Sequence, residues 1–276
     1  MPDWSRILPE GDHRWSMGLR PADPASFFAP CDLTGEVVRE RARWLAAEPE
    51  KYAALLPEAF PCLSETIDLA NQWSAESGAS PIARDAAKAD VMAQLQALGC
   101  AWESDIVWLA PHADGEFRVV GGIVCFPSSW ALTEKLGLPM RDVHSPVPGL
   151  NAALGGQIER FLAKLASGTA WSRENWSLSR SDERNQHTSR PRAAFDLNTS
   201  RDEVWIRLEH QLLMRLPVSG AVLFGIRIEL VPLAELKRAP AAAACFARIL
   251  RTMAPEAAAY KNFAAVREHL LQLLHD

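Results

Sequence analysis

Seven histidines and five cysteines supply the metal-ligating and near-neutral acid–base capacity of this chain. The cysteines, Cys31, Cys62, Cys100, Cys125 and Cys245, are too widely separated for the close spacing of zinc or iron–sulfur sites and read as buried free thiols. His13, His269 and His275 lie near the ends, His112 in an Asp-Gly turn, and His187 in the polar stretch 177–200. His144 stands apart: Pro146 and Pro148 hold it in an extended segment directly before an amphipathic run. An imidazole placed that rigidly either coordinates a metal or bonds nearby backbone. His210 falls on the apolar side of a strand, where it is either a satisfied core residue or a polar group facing a pocket.

Other chemistries lack their signatures. Ser128 and Ser129 follow Phe-Pro without the surroundings of a nucleophile elbow, and they read as caps for a helix at Trp130. No Gly-rich fingerprint follows a strand and no phosphate loop is present, so no nicotinamide or flavin site is recognisable. The net charge is −5 with no basic block, which argues against a nucleic-acid partner. No segment supplies the roughly 18 uninterrupted apolar residues of a membrane span, and the N-terminus has no signal-like apolar core, so a cytoplasmic protein is expected. Ten tryptophans against two tyrosines fill core space, with some free to line a flat cofactor or a cation.

The elements that must position these residues change character along the chain. Helical spacing covers Leu33 to Ala47, Cys62 to Glu76, and a run from Ser80-Pro81 to Leu98. Strand patterns then cover Asp105 to Leu109 and Phe117 to Phe126, joined by the turn at Asp114-Gly115. After a helical excursion from Ser128 to Leu165, three more strands are readable: Ala170 to Leu178, Glu203 to Leu216 and Ala221 to Val231. The expectation is an α+β fold with a PAS-like antiparallel sheet of about five strands packed with helices. An N-terminal helical layer would occupy 1–100, the PAS-like core 101–232, and C-terminal helices 233–276.

Charge pairing suggests a register for the last hairpin. With Leu216 opposite Gly220, Glu209 faces Arg227 and Arg207 faces Glu229. The other face then gathers Ile206, Leu208, Leu212, Met214, Phe224, Ile226 and Ile228 together with His210. A one-residue slip would bury the charges.

Several segments carry a family pattern: Met17 to Pro21, CFPSSWALTEKLGLPMRDVHSPVPG from Cys125 to Gly149, the run from Leu150 to Leu165, Arg173 to Leu178, and RLEHQLLMRLPVSGAVLFGIR from Arg207 to Arg227. Over His13 to Phe263 the chain resembles the heme-dependent oxidative N-demethylases. That resemblance implies a PAS-like fold holding heme b, with His144 as the iron ligand and Phe126, Trp130, Pro146 and Phe224 around the cofactor. It implies a catalytic place for His210, as distal hydrogen-bond donor or acid/base. The family pattern carries arginine there, so His210 is a departure bearing on the substrate. Among the arginines that could pair heme propionates, Arg20, Arg207, Arg215 and Arg227, the register above leaves Arg207 and Arg227 partnered elsewhere. The implied reaction removes a methyl group from a small secondary or N-methylated amine with O2, releasing formaldehyde. Since no redox motif is readable in the chain, a separate flavin/iron–sulfur reductase would supply electrons. An oligomer is allowed. The alternative is a PAS-type heme or small-ligand sensor.

Overall fold

Helices and strands alternate between two jobs in the computed structural model, which describes residues 2–32, 34–75, 82 and 91–275. After α1 (Trp4–Ile7), an extended segment leads to β1 (Arg20–Pro21) and then to α2 (Pro24–Phe28), α3 (Glu36–Ala47), α4 (Pro49–Tyr52), β2 (Ala53–Leu55), α5 (Phe60–Ala75) and α6 (Val91–Ala101). The helix expected from Leu33 begins at Glu36, where Gly35 takes a positive φ and the Asp32 carboxylate accepts the N–H of Val37. The expected start at Ser80-Pro81 lies outside the described residues.

The sheet-forming half follows. β3 (Asp105–Pro111) and β4 (Phe117–Ile123) form the expected hairpin, with Gly115 at positive φ. Next come α7 (Met140–Val143), α8 (Leu150–Lys164), β5 (Ala170–Ser179), β6 (Trp205–Arg215) and β7 (Val222–Pro232). The C-terminal layer is α9 (Leu233–Leu236), α10 (Pro240–Thr252), α11 (Pro255–Tyr260) and α12 (Arg267–His275). One antiparallel sheet runs β1-β5-β6-β7-β3-β4-β2. It has seven strands rather than five, because β1 and β2 are too short to leave an alternating pattern. The five expected strands form its middle. The helix expected at Trp130 is instead a short 3-10 turn at Leu132–Glu134.

The β6–β7 register differs by one residue from the charge-pairing expectation. Glu209 lies opposite Ile228, Arg207 opposite Leu230, and His210 opposite Arg227. The cause is at the hairpin tip. The Glu65 carboxylate of α5 accepts the N–H groups of Val218 and Ser219, and Leu216 pairs with Ala221, which makes room for one more turn residue. The slip does bury charges: Arg207 is fully enclosed and Glu209 nearly so. They share their face with Phe224, Ile226 and Ile228.

Three apolar clusters clamp the sheet. The first packs the N-terminal helices on it, with Trp108 fully buried and donating from its indole N–H to Thr66 of α5. The second joins α1, α9–α12 and the Ile206–Leu208 end of β6. The third sets α7 and α8 against Val107, Leu109, Val119, Leu213 and Val222. Where the first cluster meets the polar interior, Arg41 donates to Asp105 at 2.6 Å with both side chains buried. Asp105 also accepts the N–H groups of Cys125 and Phe126, which fixes the chain ahead of Ser128.

Replacing Asp105 should therefore strand a buried guanidinium and two buried N–H groups at once. Asp105→Ala is expected to destabilise the protein by about 3–5 kcal/mol; chemical denaturation midpoints with unchanged slope check this.

Candidate functional site

A charged network occupies the face of the sheet toward the 126–130 segment. Arg207 donates from Nε to Ser128 Oγ at 2.8 Å and from Nη2 to the Phe126 carbonyl at 2.6 Å. Ser128 Oγ in turn donates to Glu209 Oε1 at 2.6 Å. The other Glu209 oxygen accepts from Asn175 at 3.0 Å and Gln211 at 2.8 Å. Burial acts to raise the Glu209 pKa, but hydrogen bonds from Ser128 and Asn175, with the Arg207 charge, outweigh it and hold it below the ordinary value. Burial pushes Arg207 down to about 10, against the attraction of Glu209 and Asp105. Ser128 is therefore a bridge between buried charges rather than a helix cap. The adjoining Ser129 takes a positive φ of 68°, a strained backbone position at the network's edge.

His144 ends α7 in a helical turn, its N–H donating to the Met140 carbonyl. Its backbone is not extended as the flanking prolines led one to expect. Pro146 is exposed, and the turn is closed by the Val147 N–H donating to the His144 carbonyl. With Met140, Arg141, Asn151, Gly155, Ile158 and Glu159, His144 lines a small cleft between α7 and α8 with about 10 Å³ of room. Its ring makes no hydrogen bond to a described residue. Burial first, then the charges of Arg173 and Lys135, lower its pKa to about 4, so the imidazole is neutral near pH 7.

Arg173 continues the polar stripe of β5 on the Asn175 and Glu209 side of the sheet, opposite Gln211. Its buried Nε has no partner. Lys261, just after α11, lies near enough to feel both Arg173 and Glu209; it donates to the Trp176 carbonyl and sits 4.6 Å from the Trp176 ring centre. Burial lowers its pKa to about 8. The N-terminal segment between α1 and β1 passes alongside. His13 feels the Lys261 charge and meets Trp15 edge-on, and the Trp15 indole comes up against Gly149 at the start of α8.

His210 occupies the opposite face, with Glu174 and Glu229. Its two ring nitrogens lie 2.7 Å and 3.0 Å from their carboxylates. Burial alone would lower its pKa, but hydrogen bonds to Glu174 and Glu229 raise it to about 9, giving a clamped imidazolium. The structure thus does not bring His210 together with His144. Of the expected cofactor neighbours, Phe224 and Trp130 reach the cluster under α7 and α8. Phe126 is buried in the N-terminal core with the Arg41 guanidinium 4.8 Å from its ring centre. Arg20, Arg215 and Arg227 donate to the carbonyls of Arg6, Leu162 and Phe27.

Sequence reading gave no role to Arg173, Asn175, Gln211 and Lys261, took Ser128 for a helix cap and paired Glu209 with Arg227. A signal for most of them was present: Arg173, Asn175 and Ser177 on β5, and Arg207, Glu209 and Gln211 on β6, put polar groups at every second position of adjoining strands. A polar stripe shared by two central strands marks a lined interior as well as a solvated face.

A family model described as haem-dependent oxidative N-demethylase, alpha subunit-like, matches residues 36–271.

The two opposed histidines should appear in the pH dependence of stability. His144 has its pKa lowered from 6.5 to about 4, so the folded state binds fewer protons than the unfolded state, and stability falls as pH drops through that window. His210 has its pKa raised from 6.5 to about 9, so its contribution is complete below 6.5 and is lost as pH rises toward 9. Denaturation series across pH should show His144→Gln flattening the acid limb and His210→Gln the alkaline limb.

Proposed function

The chain belongs to the haem-dependent oxidative N-demethylase alpha-subunit-like family, and on that premise we propose that it binds heme b beside α7 and α8 with His144 as axial ligand, and demethylates a small secondary or N-methylated amine. The observation that carries this reading is a neutral His144 imidazole with no hydrogen-bonded partner among the described residues, within reach of the charge of Arg173, whose buried Nε also lacks a partner. Iron takes the neutral form of imidazole, and a porphyrin bears carboxylates, so this donor set fits heme. Apolar cover comes from Met140, Val143, Phe161, Trp171 and Phe224, with Trp130 at the rim. The cleft beside His144 has about 10 Å³ of room, enough for a single water, so heme could enter there only if α7 and α8 moved away from the sheet.

When bound, the cofactor would supply activation of O2; with two electrons and two protons from outside, the net reaction would turn an N-methyl amine and O2 into the demethylated amine, formaldehyde and water. The residues of this chain do the remaining work. His144 would hold the metal. The apolar cluster under α8 excludes water from the reacting methyl group. The Arg207–Ser128–Glu209 network keeps the facing wall rigid and holds one proton on Ser128 Oγ, directed at Glu209. A PAS-like core is supported by the arrangement of the five long strands, in which the first, β3, lies between the second, β4, and the last, β7. Electrons come from a separate flavin/iron–sulfur reductase, since the chain carries no recognisable dinucleotide motif. His210, on the other face and held by Glu174 and Glu229, takes no part in this chemistry.

His144→Ala is expected to weaken hemin affinity by at least about 100-fold, beyond the 10–100-fold typical of groups that only support a ligand. Soret titration measures it, with far-UV circular dichroism unchanged because the ring has no hydrogen bond to lose. A heme-loaded sample with reductant and O2 should form formaldehyde from a secondary amine, and NADPH alone should not replace the reductase; a wild-type chain that takes up no hemin would defeat the reading.

A further inference from the structure

Two polar groups without a partner among the described residues line the one small cleft between α7 and α8. The first is the His144 ring. The second is Asn151, in the first turn of α8, whose Oδ1 is buried and accepts no hydrogen bond from a described residue. The Asn151 amide is held in one orientation, because its Nδ2 donates to the Arg141 carbonyl of α7 at 2.7 Å. Its Oδ1 is then left beside Gly155, 3.8 Å from where a Cβ on that residue would stand, and Gly155 lines the same cleft. A buried carbonyl oxygen is costly to leave without a donor. The cleft has about 10 Å³ of room, enough for a single water, and a water in such a place takes two to four polar partners.

We propose that Asn151 is a positioning residue for His144: its Oδ1 is joined through one water to the imidazole, with the imidazole as donor, so that the ring is held in a single tautomer. The direction follows from what else lines the space. Glu159 supplies a second acceptor, and Arg141, the one cation among the lining residues, is engaged by Glu116 at 3.2 Å and Asp142 at 3.7 Å. A water that gives its two protons to Asn151 and Glu159 has only lone pairs left for the ring, so the ring nitrogen facing it carries the N–H. The other nitrogen then bears the lone pair. A metal ligand needs that arrangement, since the hydrogen bond made by one imidazole nitrogen decides which of the two binds. The consequence for iron rests on the heme reading; the hydrogen bond itself does not.

The experiment reads the imidazole nitrogens by NMR in heme-free protein carrying isotope-labelled histidine, near neutral pH, on wild type, Asn151→Ala and Asn151→Asp, with His144→Gln assigning the signals. Wild type should show one protonated and one bare nitrogen on the His144 ring, the signature of a single tautomer. Asn151→Ala should draw the two signals together as both tautomers become populated. Asn151→Asp keeps the acceptor but cannot donate to the Arg141 carbonyl, so it should retain the single tautomer. That variant separates the proposal from a role for Asn151 in merely tying α8 to α7, which both substitutions would disturb alike. In hemin titrations Asn151→Ala should weaken affinity by about 10–100-fold and raise the midpoint potential of the bound iron, whereas Asn151→Asp should lower that potential by making the ring a stronger donor. Two tautomers in wild type, unchanged ring signals in Asn151→Ala, or Asn151→Asp behaving as Asn151→Ala overturns the proposal; hemin uptake by wild type in that case leaves the heme reading standing. A single tautomer that depends on the Asn151 acceptor supports the proposal even in a chain that takes up no hemin, where the heme reading alone fails.

Discussion

A carboxylate sealed between two central strands sets the terms for everything around it. Glu209 can be buried only because every lone pair that matters is answered: Ser128 from the 126–130 segment, Asn175 from β5, Gln211 from its own strand, and the Arg207 charge relayed through Ser128. Removing any of these partners would leave an ion in a low-dielectric interior, at a cost of several kcal/mol. The network therefore ties three separate pieces of chain into one geometry. It fixes the β6–β7 register, since a one-residue shift would turn Arg207 and Glu209 away from Ser128. It also fixes the loop before Trp130, with Arg41 and Asp105 supporting the same loop from behind.

This arrangement explains why local pattern read the elements well and the register poorly. The five long strands carry clear periodicity and their limits agree closely with the structure, as do the longer helices α3, α5 and α8; the short helices α1, α2, α4, α7 and α9 left no such pattern. The hairpin register rested on the general rule that opposite charges pair across a solvated face. Here tertiary partners outweigh it. The Glu65 carboxylate shapes the turn from α5, and Ser128, 79 residues before Arg207, makes burial of the charges affordable. Neither contact has a local signature. The same is true of β1 and β2, whose pairing is visible only once the neighbouring strand is in place.

His144 illustrates the other side of the relation. Its isolation from the remaining histidines and its proline-rich setting were legible, and the family resemblance gave it a role. The prolines do not hold His144 extended: its backbone is set by the α7 turn and the Val147 hydrogen bond. His210 went the other way. Period-two alternation placed it correctly on the side of Leu208 and Leu212, but the carboxylates that trap it, Glu174 and Glu229, come from flanking strands whose register had to be known first.

The two sides of the central strands differ in how their charges are settled. On the His210 side, a cation is enclosed by two carboxylates of the chain, with Arg227 opposite it, so the group is complete without a ligand. On the other side, His144 feels the charge of Arg173, whose buried Nε has no partner, while Glu209 is already hydrogen-bonded by Ser128, Asn175 and Gln211. A structural ion-pair layer is expected to look like the first side, because folding selects charges that cancel within the chain. A site built for a metal-bearing or anionic ligand is expected to look like the second, with donors in place and their partners lacking. The contrast lies within one pair of strands, β5 and β6, whose alternate residues point to opposite sides. Burial alone cannot separate the two sides, since both histidines are desolvated; what separates them is that His210 is held by two carboxylates, whereas His144 makes no hydrogen bond to a described residue.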